Sequence, residues 1–283
     1  MPTLYEEVRA VLRDSAFRPR KSRGQNFLIH DHVVEAILRL LDLQPSDEVV
    51  EIGPGLGFVT RRLIERAQTV WAVEIDEILA QRLSAGELGT NANFHLIYGD
   101  ILKVGLPELL PNRKLKLVGN LPYNIATEVL FRIFDWREHF SSLVLMVQKE
   151  VADRITSVPG SKTYGTLSVW CQVHGRISEK IDISPEAFFP RPKVRSTILR
   201  IEMLPHSRVG EENLPALKGL VRAAFGQRRK TLSNSVGSWL MRARNEVDAL
   251  MTAHAVDPRR RGETLSVEEF IQLAQAIRVS GLL

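Results

Sequence analysis

The sequence predicts an α/β fold, in which a mostly parallel seven-stranded sheet is flanked by helices and followed by a small all-α domain. Three observations predict it: strand and helix patterns alternate up to about residue 201, a glycine-rich turn follows the first strand, and strand patterns stop near residue 205. Such alternation indicates βαβ units around a parallel sheet. A chain of 283 residues, 44% of them hydrophobic, is long enough for one large domain and a smaller one.

Hydrophobic periodicity predicts each element in order. Apolar residues recur at helical spacing after Asp31, and the first strand follows at 48–52. Further strands are predicted at 70–75, 94–98, 115–118, 143–148, 177–183 and 196–201. Five helices are predicted between these strands: one ends near residue 66, one ends near residue 83, one spans 126–134, one begins after Lys149 and one spans 166–173. Three more helices follow at 213–225, 232–251 and 266–278. We therefore expect a basic arm at 1–24, an α/β domain at 25–204 and a helical domain at 205–283.

Composition and charge narrow the function classes. The chain has 38 Lys and Arg against 33 Asp and Glu, and its pI near 9.5 favours a polyanionic partner. The longest apolar run, 143–147, is too short to cross a bilayer, and the first residues predict neither a signal nor a transit peptide. A single cysteine, Cys171, excludes an intramolecular disulfide and a cysteine-based zinc site. We expect a cytoplasmic protein that contacts no membrane and holds no metal.

The glycine-rich turn separates two classes of cofactor. Gly53, Gly55 and Gly57 follow a strand and open a helix, where glycines let a ligand approach the backbone. A dinucleotide fingerprint needs a glycine at position 58, where this chain has Phe58, and no Gly-Lys-Ser/Thr follows to cradle phosphates. The turn therefore favours a cofactor with an adenosine and an amino-acid tail, such as S-adenosylmethionine.

Polar residues follow the next three strands at their carboxyl ends, the edge at which open α/β sheets bind ligands. Glu74 ends the second strand, where its carboxylate could accept both ribose hydroxyls, and Asp100 follows the third, where it could accept from an adenine amino group. Asn120 ends the fourth. Taken alone, each acid more commonly belongs to a solvated loop or a helix cap. Together with the glycine turn, these three residues occupy four successive strand ends, which predicts a cofactor pocket.

The tetrapeptide Asn120-Leu121-Pro122-Tyr123 has the parts needed to make a planar amino group nucleophilic. Asn120 offers an amide oxygen that accepts an N–H, and Pro122 lacks an N–H and fixes the turn, which leaves the carbonyls near Leu121 and Pro122 able to accept. Tyr123 offers a face on which a base can stack. These four residues alone also fit an ordinary Asn/Pro turn.

Six segments together resemble the ribosomal RNA adenine dimethyltransferases, over nearly the whole chain: residues 24–28, 51–57, 73–76, 99–100, 119–125 and 188–194. The resemblance implies a Rossmann-like class I methyltransferase fold, with S-adenosylmethionine as methyl donor, S-adenosylhomocysteine as product and no metal. It implies dimethylation of N6 of two adjacent adenosines in a 3′-terminal hairpin of small-subunit (16S) ribosomal RNA. The substrate would be either the RNA itself or an immature small ribosomal subunit, and the enzyme would act as a monomer.

The resemblance also implies roles for single residues. Those of the cofactor pocket are Asn26, Leu28, Gly53, Glu74, Asp100 and Asn120, with Gly55 and Gly57 shaping the turn. Those of the target adenine are Asn120 and Tyr123, supported from the side by Phe188 and Phe189. Charge adds the expected RNA contacts, which are Arg20, Lys21, Arg23, Arg191, Lys193, Arg228, Arg229 and Lys230.

Three other functions fit parts of the sequence. Erythromycin-resistance methyltransferases share the same motifs and act on large-subunit RNA, but segments 225–234 and 260–270 resemble the small-subunit enzymes. A non-catalytic RNA-binding assembly factor would need only the basic clusters, and would leave the pocket residues unexplained. A small-molecule methyltransferase would leave the basic tail unexplained.

Overall fold

A seven-stranded, mostly parallel sheet forms the centre of the fold, as predicted. The computed structural model describes residues 3–13, 17–20, 24–122, 125–227 and 229–282. The sheet has the strand order β4-β3-β2-β5-β6-β9-β7, in which β2 to β6 pair in parallel and β9 pairs with β6 antiparallel. The strands are β2 (Glu48–Ile52), β3 (Thr69–Glu74), β4 (Phe94–Tyr98), β5 (Leu115–Asn120), β6 (Phe140–Gln148), β7 (Gly175–Ile183) and β9 (Ser196–Met203).

Helices alternate with the strands along the first part of the chain. They are α1 (Leu4–Arg13), α2 (Asp31–Leu41), α3 (Phe58–Ile64), α4 (Glu77–Ala85), α5 (Leu106–Leu109), α6 (Ala126–Asp135), α7 (Lys149–Ile155) and α8 (Thr166–His174). The strands β2, β5 and β6 consist mostly of buried residues, as expected for parallel strands covered on both faces. The amphipathic α2 buries Val33, Ile37 and Leu41 in the same core, which explains why its periodicity was readable in the sequence.

A second, two-stranded sheet fixes the segment that precedes α2. Strand β1 (Phe27–Leu28) pairs antiparallel with β8 (Phe188–Phe189), with Phe27 opposite Phe189 and Leu28 opposite Phe188. Within the predicted basic arm, α1 buries Leu4, Val8 and Val11 in the core of the α/β part. The described part of the arm therefore includes a packed amphipathic helix.

The chain divides into two compact units, Met1–Ala152 with Ile177–Met203, and Asp153–Arg176 with Leu204–Leu283. Residues 153–176 thus cluster with the second unit, whereas the sequence analysis placed them in the α/β domain. The reason is that α8 packs against two helices of that unit. The helices of its C-terminal part are α9 (Leu214–Gly226), α10 (Leu232–Leu240), α11 (Arg244–Ala253) and α12 (Val267–Val279).

The expected single helix at 232–251 is wrong, because the structure has two helices there. Met241 adopts a left-handed conformation with φ 52°, and its N–H bonds to the carbonyl of Gly237, which ends α10. Apolar spacing continues across the break, so periodicity could not reveal it. In the same unit a capping box at Ser266 and Glu269 begins α12. Among the described residues, no helix is long and apolar enough to span a bilayer.

Candidate functional site

The carboxyl ends of β4, β3, β2 and β5 lie side by side, and they place the four predicted strand-end residues around one cavity. Asp100 follows β4, Glu74 ends β3, Gly53 follows β2 and Asn120 ends β5. The cavity opens to solvent, and its empty space, counted together with the solvent at its mouth, is about 1120 Å³. Its lining includes most of the predicted cofactor residues, namely Asn26, Leu28, Gly53, Gly55, Glu74, Asp100 and Asn120.

The glycines of the turn have different surroundings. Gly53 and Gly55 have φ values of +68° and +59°, which L side chains rarely adopt. A Cβ at Gly53 would meet nothing within 4 Å, whereas a Cβ at Gly57 would lie 2.6 Å from Leu88 Cδ1. Gly57 lies at the start of α3 and is absent from the cavity lining. The turn therefore offers bare backbone to a ligand at Gly53, while Gly57 serves packing.

Glu74 is held by the backbone around it. Its Oε2 accepts the Gly55 N–H at 3.2 Å and its Oε1 accepts the Asp76 N–H at 2.8 Å. Burial raises the pKa of Glu74, an effect that these N–H groups oppose and the negative charge of Asp76 reinforces. The fixed carboxylate lines the cavity and is able to accept hydroxyl groups from a ligand.

Asp100 and Glu51 add two further carboxylates to the lining. Asp100 Oδ1 accepts the Leu102 N–H at 3.0 Å, which orients the side chain. Glu51 is 4% exposed and accepts the Thr60 hydroxyl at 2.6 Å. Burial raises the pKa of Glu51 to about 7, with a smaller contribution from the charge of Glu74 and against the Thr60 hydrogen bond. Sequence reasoning assigned Glu51 no role of its own.

The amide of Asn120 has a fixed orientation. Its Nδ2 donates to the carbonyl oxygen of Asn26 at 3.3 Å, so its Oδ1 is directed away from that carbonyl. Pro122 O accepts the Ile125 N–H at 3.1 Å, whereas none of the described residues donates to Leu121 O. Asn120 and Pro122 line the cavity, whereas Leu121 is buried and is absent from its lining. Tyr123 lies outside the described residues.

Phe188 and Phe189 lie on β8, and neither belongs to the cavity lining. Phe188 is buried and Phe189 contacts Tyr5 of α1 edge-on, with the ring centroids 6.0 Å apart. Of the predicted RNA contacts, Arg20, Arg191, Lys193, Arg229 and Lys230 are exposed, and Arg191 forms an ion pair with Glu186. Lys21, Arg23 and Arg228 lie outside the described residues.

The structure adds lining residues to which the sequence assigned no role. Ile75 is 45% exposed directly after β3, and together with Ile101 it gives the cavity an apolar wall between Glu74 and Asp100. The sequence offered one signal, an apolar residue between the acids Glu74 and Asp76. Gln25 and Phe27 also line the cavity. Within the described ranges, no group of three His, Cys, Asp or Glu side chains could hold a metal ion.

Comparisons with known proteins agree on one family. The family model of ribosomal RNA adenine dimethylases matches residues 16–278. A ribosomal RNA small subunit methyltransferase A from Syntrophotalea carbinolica is 46% identical over 262 residues, which cover 92% of this chain and 97% of that protein. A protein of the same name from Geobacter metallireducens is 39% identical over 274 residues, 95% of this chain and 99% of the relative.

Two solved structures share the fold. A dimethyladenosine transferase from Plasmodium falciparum matches with a TM-score of 0.79 at 22% identity, covering 90% of this chain and 98% of that one. The 23S rRNA methyltransferase ErmE matches with a TM-score of 0.66 at 25% identity, covering 89% and 100%. Both confirm the predicted class of fold.

Proposed function

The chain belongs to the ribosomal RNA adenine dimethylase family, and from that premise we propose that it dimethylates N6 of two adjacent adenosines in a 3′-terminal hairpin of small-subunit ribosomal RNA. The observation that carries the proposal is the fixed Asn120 amide at the edge of a cavity whose other walls suit an adenosine cofactor. We propose that the substrate is the RNA within an immature small subunit, that the protein acts in the cytoplasm, and that it acts as a monomer.

The cavity residues fit S-adenosylmethionine. The bare backbone at Gly53 admits close approach, Glu74 offers oxygens to the ribose hydroxyls, and Asp100 offers oxygens to the adenine amino group. The apolar wall of Ile75 and Ile101 suits the faces of an adenine ring. When bound, the cofactor supplies an electrophilic methyl group on a sulfonium and leaves as S-adenosylhomocysteine.

Asn120 and Leu121 are assigned to the target amine. The bond from Asn120 Nδ2 to Asn26 O directs Oδ1 outward as an acceptor for one N–H of the amine. Leu121 O is assigned as the second acceptor, because none of the described residues donates to it, whereas Pro122 O already accepts one N–H, from Ile125. Two acceptors on one exocyclic amine draw its lone pair out of conjugation with the ring. The residues thereby orient the nucleophile, and no strong base is needed.

Aromatic and basic residues are assigned to binding the target RNA. Tyr123 is assigned to stacking on the flipped adenine, which at about 1–3 kcal/mol per base offsets much of the unstacking cost of a few kcal/mol. Phe188 and Phe189 are assigned to supporting that pocket from β8, since β8 pairs with the cavity-lining segment β1. Arg191, Lys193, Arg229 and Lys230 are exposed and are assigned to phosphates.

The test is methyl transfer from labelled S-adenosylmethionine to separated small and large ribosomal subunits that lack the modification. Label in dimethyladenosine of the small-subunit RNA is the expected result. Label on large-subunit RNA would indicate the erythromycin-resistance activity, and no label on either would indicate a binding factor.

Asn120→Ala tests the assignment of the acceptor. Loss of one charge-stabilising contact of the transition state lowers kcat by about 10²–10³-fold. Asn91→Ala is the matched control, because Asn91 also donates its amide to a carbonyl but lies outside the cavity. Turnover of Asn120→Ala near the wild-type rate would refute the assignment.

A further inference from the structure

Gln25 lines the cavity and uses both ends of its side-chain amide. Its Oε1 accepts the Arg20 N–H at 2.7 Å, and its Nε2 donates to Asp76 Oδ2 at 3.1 Å. The second bond joins residues 51 positions apart in the chain. The amide therefore ties the segment before β1 to the loop that follows Glu74 at the end of β3.

Asp76 passes this contact on to Glu74. It is 1% exposed, and its Oδ1 accepts the N–H groups of Ile78 and Leu79 as the cap of α4, so its own position is fixed. Its backbone N–H donates to Glu74 Oε1 at 2.8 Å. A continuous path of hydrogen bonds thus runs from Gln25 through Asp76 to the carboxylate that lines the cavity.

The Gln25 amide also affects the ionisation of Glu74, through the charge of Asp76. Glu74 and Asp76 are buried carboxylates two positions apart, and the Asp76 charge acts against ionisation of Glu74. The Gln25 N–H points its positive end at Asp76 Oδ2 and weakens that repulsion. An ionised Glu74 is the better acceptor for two hydroxyl groups.

We propose that Gln25 is a positioning residue, which acts through Asp76 to hold Glu74 in the orientation that accepts the two ribose hydroxyls of the cofactor. The inference rests on the proposed function, because it takes a ribose as the partner of Glu74. Because this role assigns Gln25 to Glu74 and to no reacting atom, we expect its loss to affect cofactor affinity and to leave the chemical step intact.

The experiment compares S-adenosylhomocysteine with its 2′,3′-dideoxy form, which lacks the two hydroxyls, by calorimetric titration. The variant is Gln25→Met, which keeps the length of the side chain and removes both hydrogen bonds; Gln25→Ala is the second variant. Gln81→Met is the matched control, because Gln81 also donates to a carboxylate, that of Glu77, but is exposed and outside the cavity. Circular dichroism confirms that each variant is folded.

We expect Gln25→Met to raise the Kd of S-adenosylhomocysteine about tenfold, the effect of weakening one hydrogen bond to a charged group, and to leave the Kd of the dideoxy form within about twofold. In methyl transfer, the KM for S-adenosylmethionine rises by the same factor and kcat at saturation is unchanged. A Glu74→Gln background should abolish the effect of Gln25→Met, as expected for residues on one path.

Two results would overturn the inference about Gln25 alone. One is an unchanged Kd for S-adenosylhomocysteine in both Gln25 variants. The other is an equal loss for both ligands, which would mean that Gln25 supports the cavity without acting on the ribose contact. Equal binding of both ligands by the wild-type protein would refute the ribose assignment of Glu74, and the inference about Gln25 with it.

Discussion

Gly53 and Gly57 offer a matched pair of substitutions, because both have left-handed backbone and only one has a crowded Cβ position. Their φ values are +68° and +79°. Replacement of either by alanine costs about 1–2 kcal/mol of backbone strain. Alanine also lowers the entropy of the unfolded chain by the same amount at both positions, so that effect cancels in the comparison.

The two variants differ in how closely the added Cβ approaches its neighbours. A Cβ at Gly57 would lie 2.6 Å from Leu88 Cδ1 and 3.0 Å from Leu83 Cδ2, whereas a Cβ at Gly53 would have no neighbour within 4 Å. Overpacking costs about 1–3 kcal/mol, so we expect Gly57→Ala to be less stable than Gly53→Ala by that amount. Urea unfolding of the ligand-free proteins measures the difference.

Ligand binding should show the opposite order. The Cβ of Gly53→Ala enters the space that the backbone leaves open to the cofactor, so the Kd of S-adenosylhomocysteine should rise by about tenfold or more, or 1.4 kcal/mol. Gly57→Ala should bind within about threefold of wild type, since Gly57 does not line the cavity. Equal stabilities would refute the packing argument, and wild-type affinity in Gly53→Ala would refute close approach of the ligand.

Three further predictions follow from the same contacts. The pKa of Glu51 is raised to about 7 from its usual 4.5, so the pH-dependent cost of its burial is absent well below pH 4.5 and complete above pH 7. The free energy of unfolding should fall as pH rises between these values. In urea unfolding, the free energy of unfolding of Glu51→Gln should exceed that of the wild type by about 1–3 kcal/mol at pH 8 and match it at pH 4.5. A difference that is constant with pH would contradict this prediction. Asn120→Asp should lower kcat nearly as much as Asn120→Ala, because a carboxylate cannot donate a hydrogen bond to Asn26 O. A single-turnover rate of Asn120→Asp near that of the wild type would argue against the fixed amide. Arg229→Ala with Lys230→Ala should lower the slope of log K against log salt for RNA binding by about 1.5, and an unchanged slope would remove both residues from the phosphate contacts.

The sequence predicted the strand-end residues better than the contacts between them. Alternating strands and helices imply a parallel sheet, and this was enough to bring Gly53, Glu74, Asp100 and Asn120 to one edge. The break between α10 and α11 left no trace in apolar spacing, because it depends on one left-handed residue, Met241.

Long-range contacts explain what remained hidden. Spacing treats Gly53 and Gly57 alike, and only the approach of Leu83 and Leu88 distinguishes them. The bond from Gln25 to Asp76 joins distant parts of the chain and follows no local pattern. Propensity and periodicity describe neighbours in sequence, so such contacts become visible only once the sheet has been assembled.

The two-residue ladder between β1 and β8 has an evolutionary consequence. Phe27, which lines the cofactor cavity, and Phe189, which is assigned to the target base, are opposite each other in that ladder. Substitutions that adapt β8 to a new RNA would therefore also shift the wall against which the methyl donor rests. Divergence toward a new target should thus be accompanied by compensating changes in residues 24–28, and grafting the 188–194 loop between relatives should require exchanging both segments together.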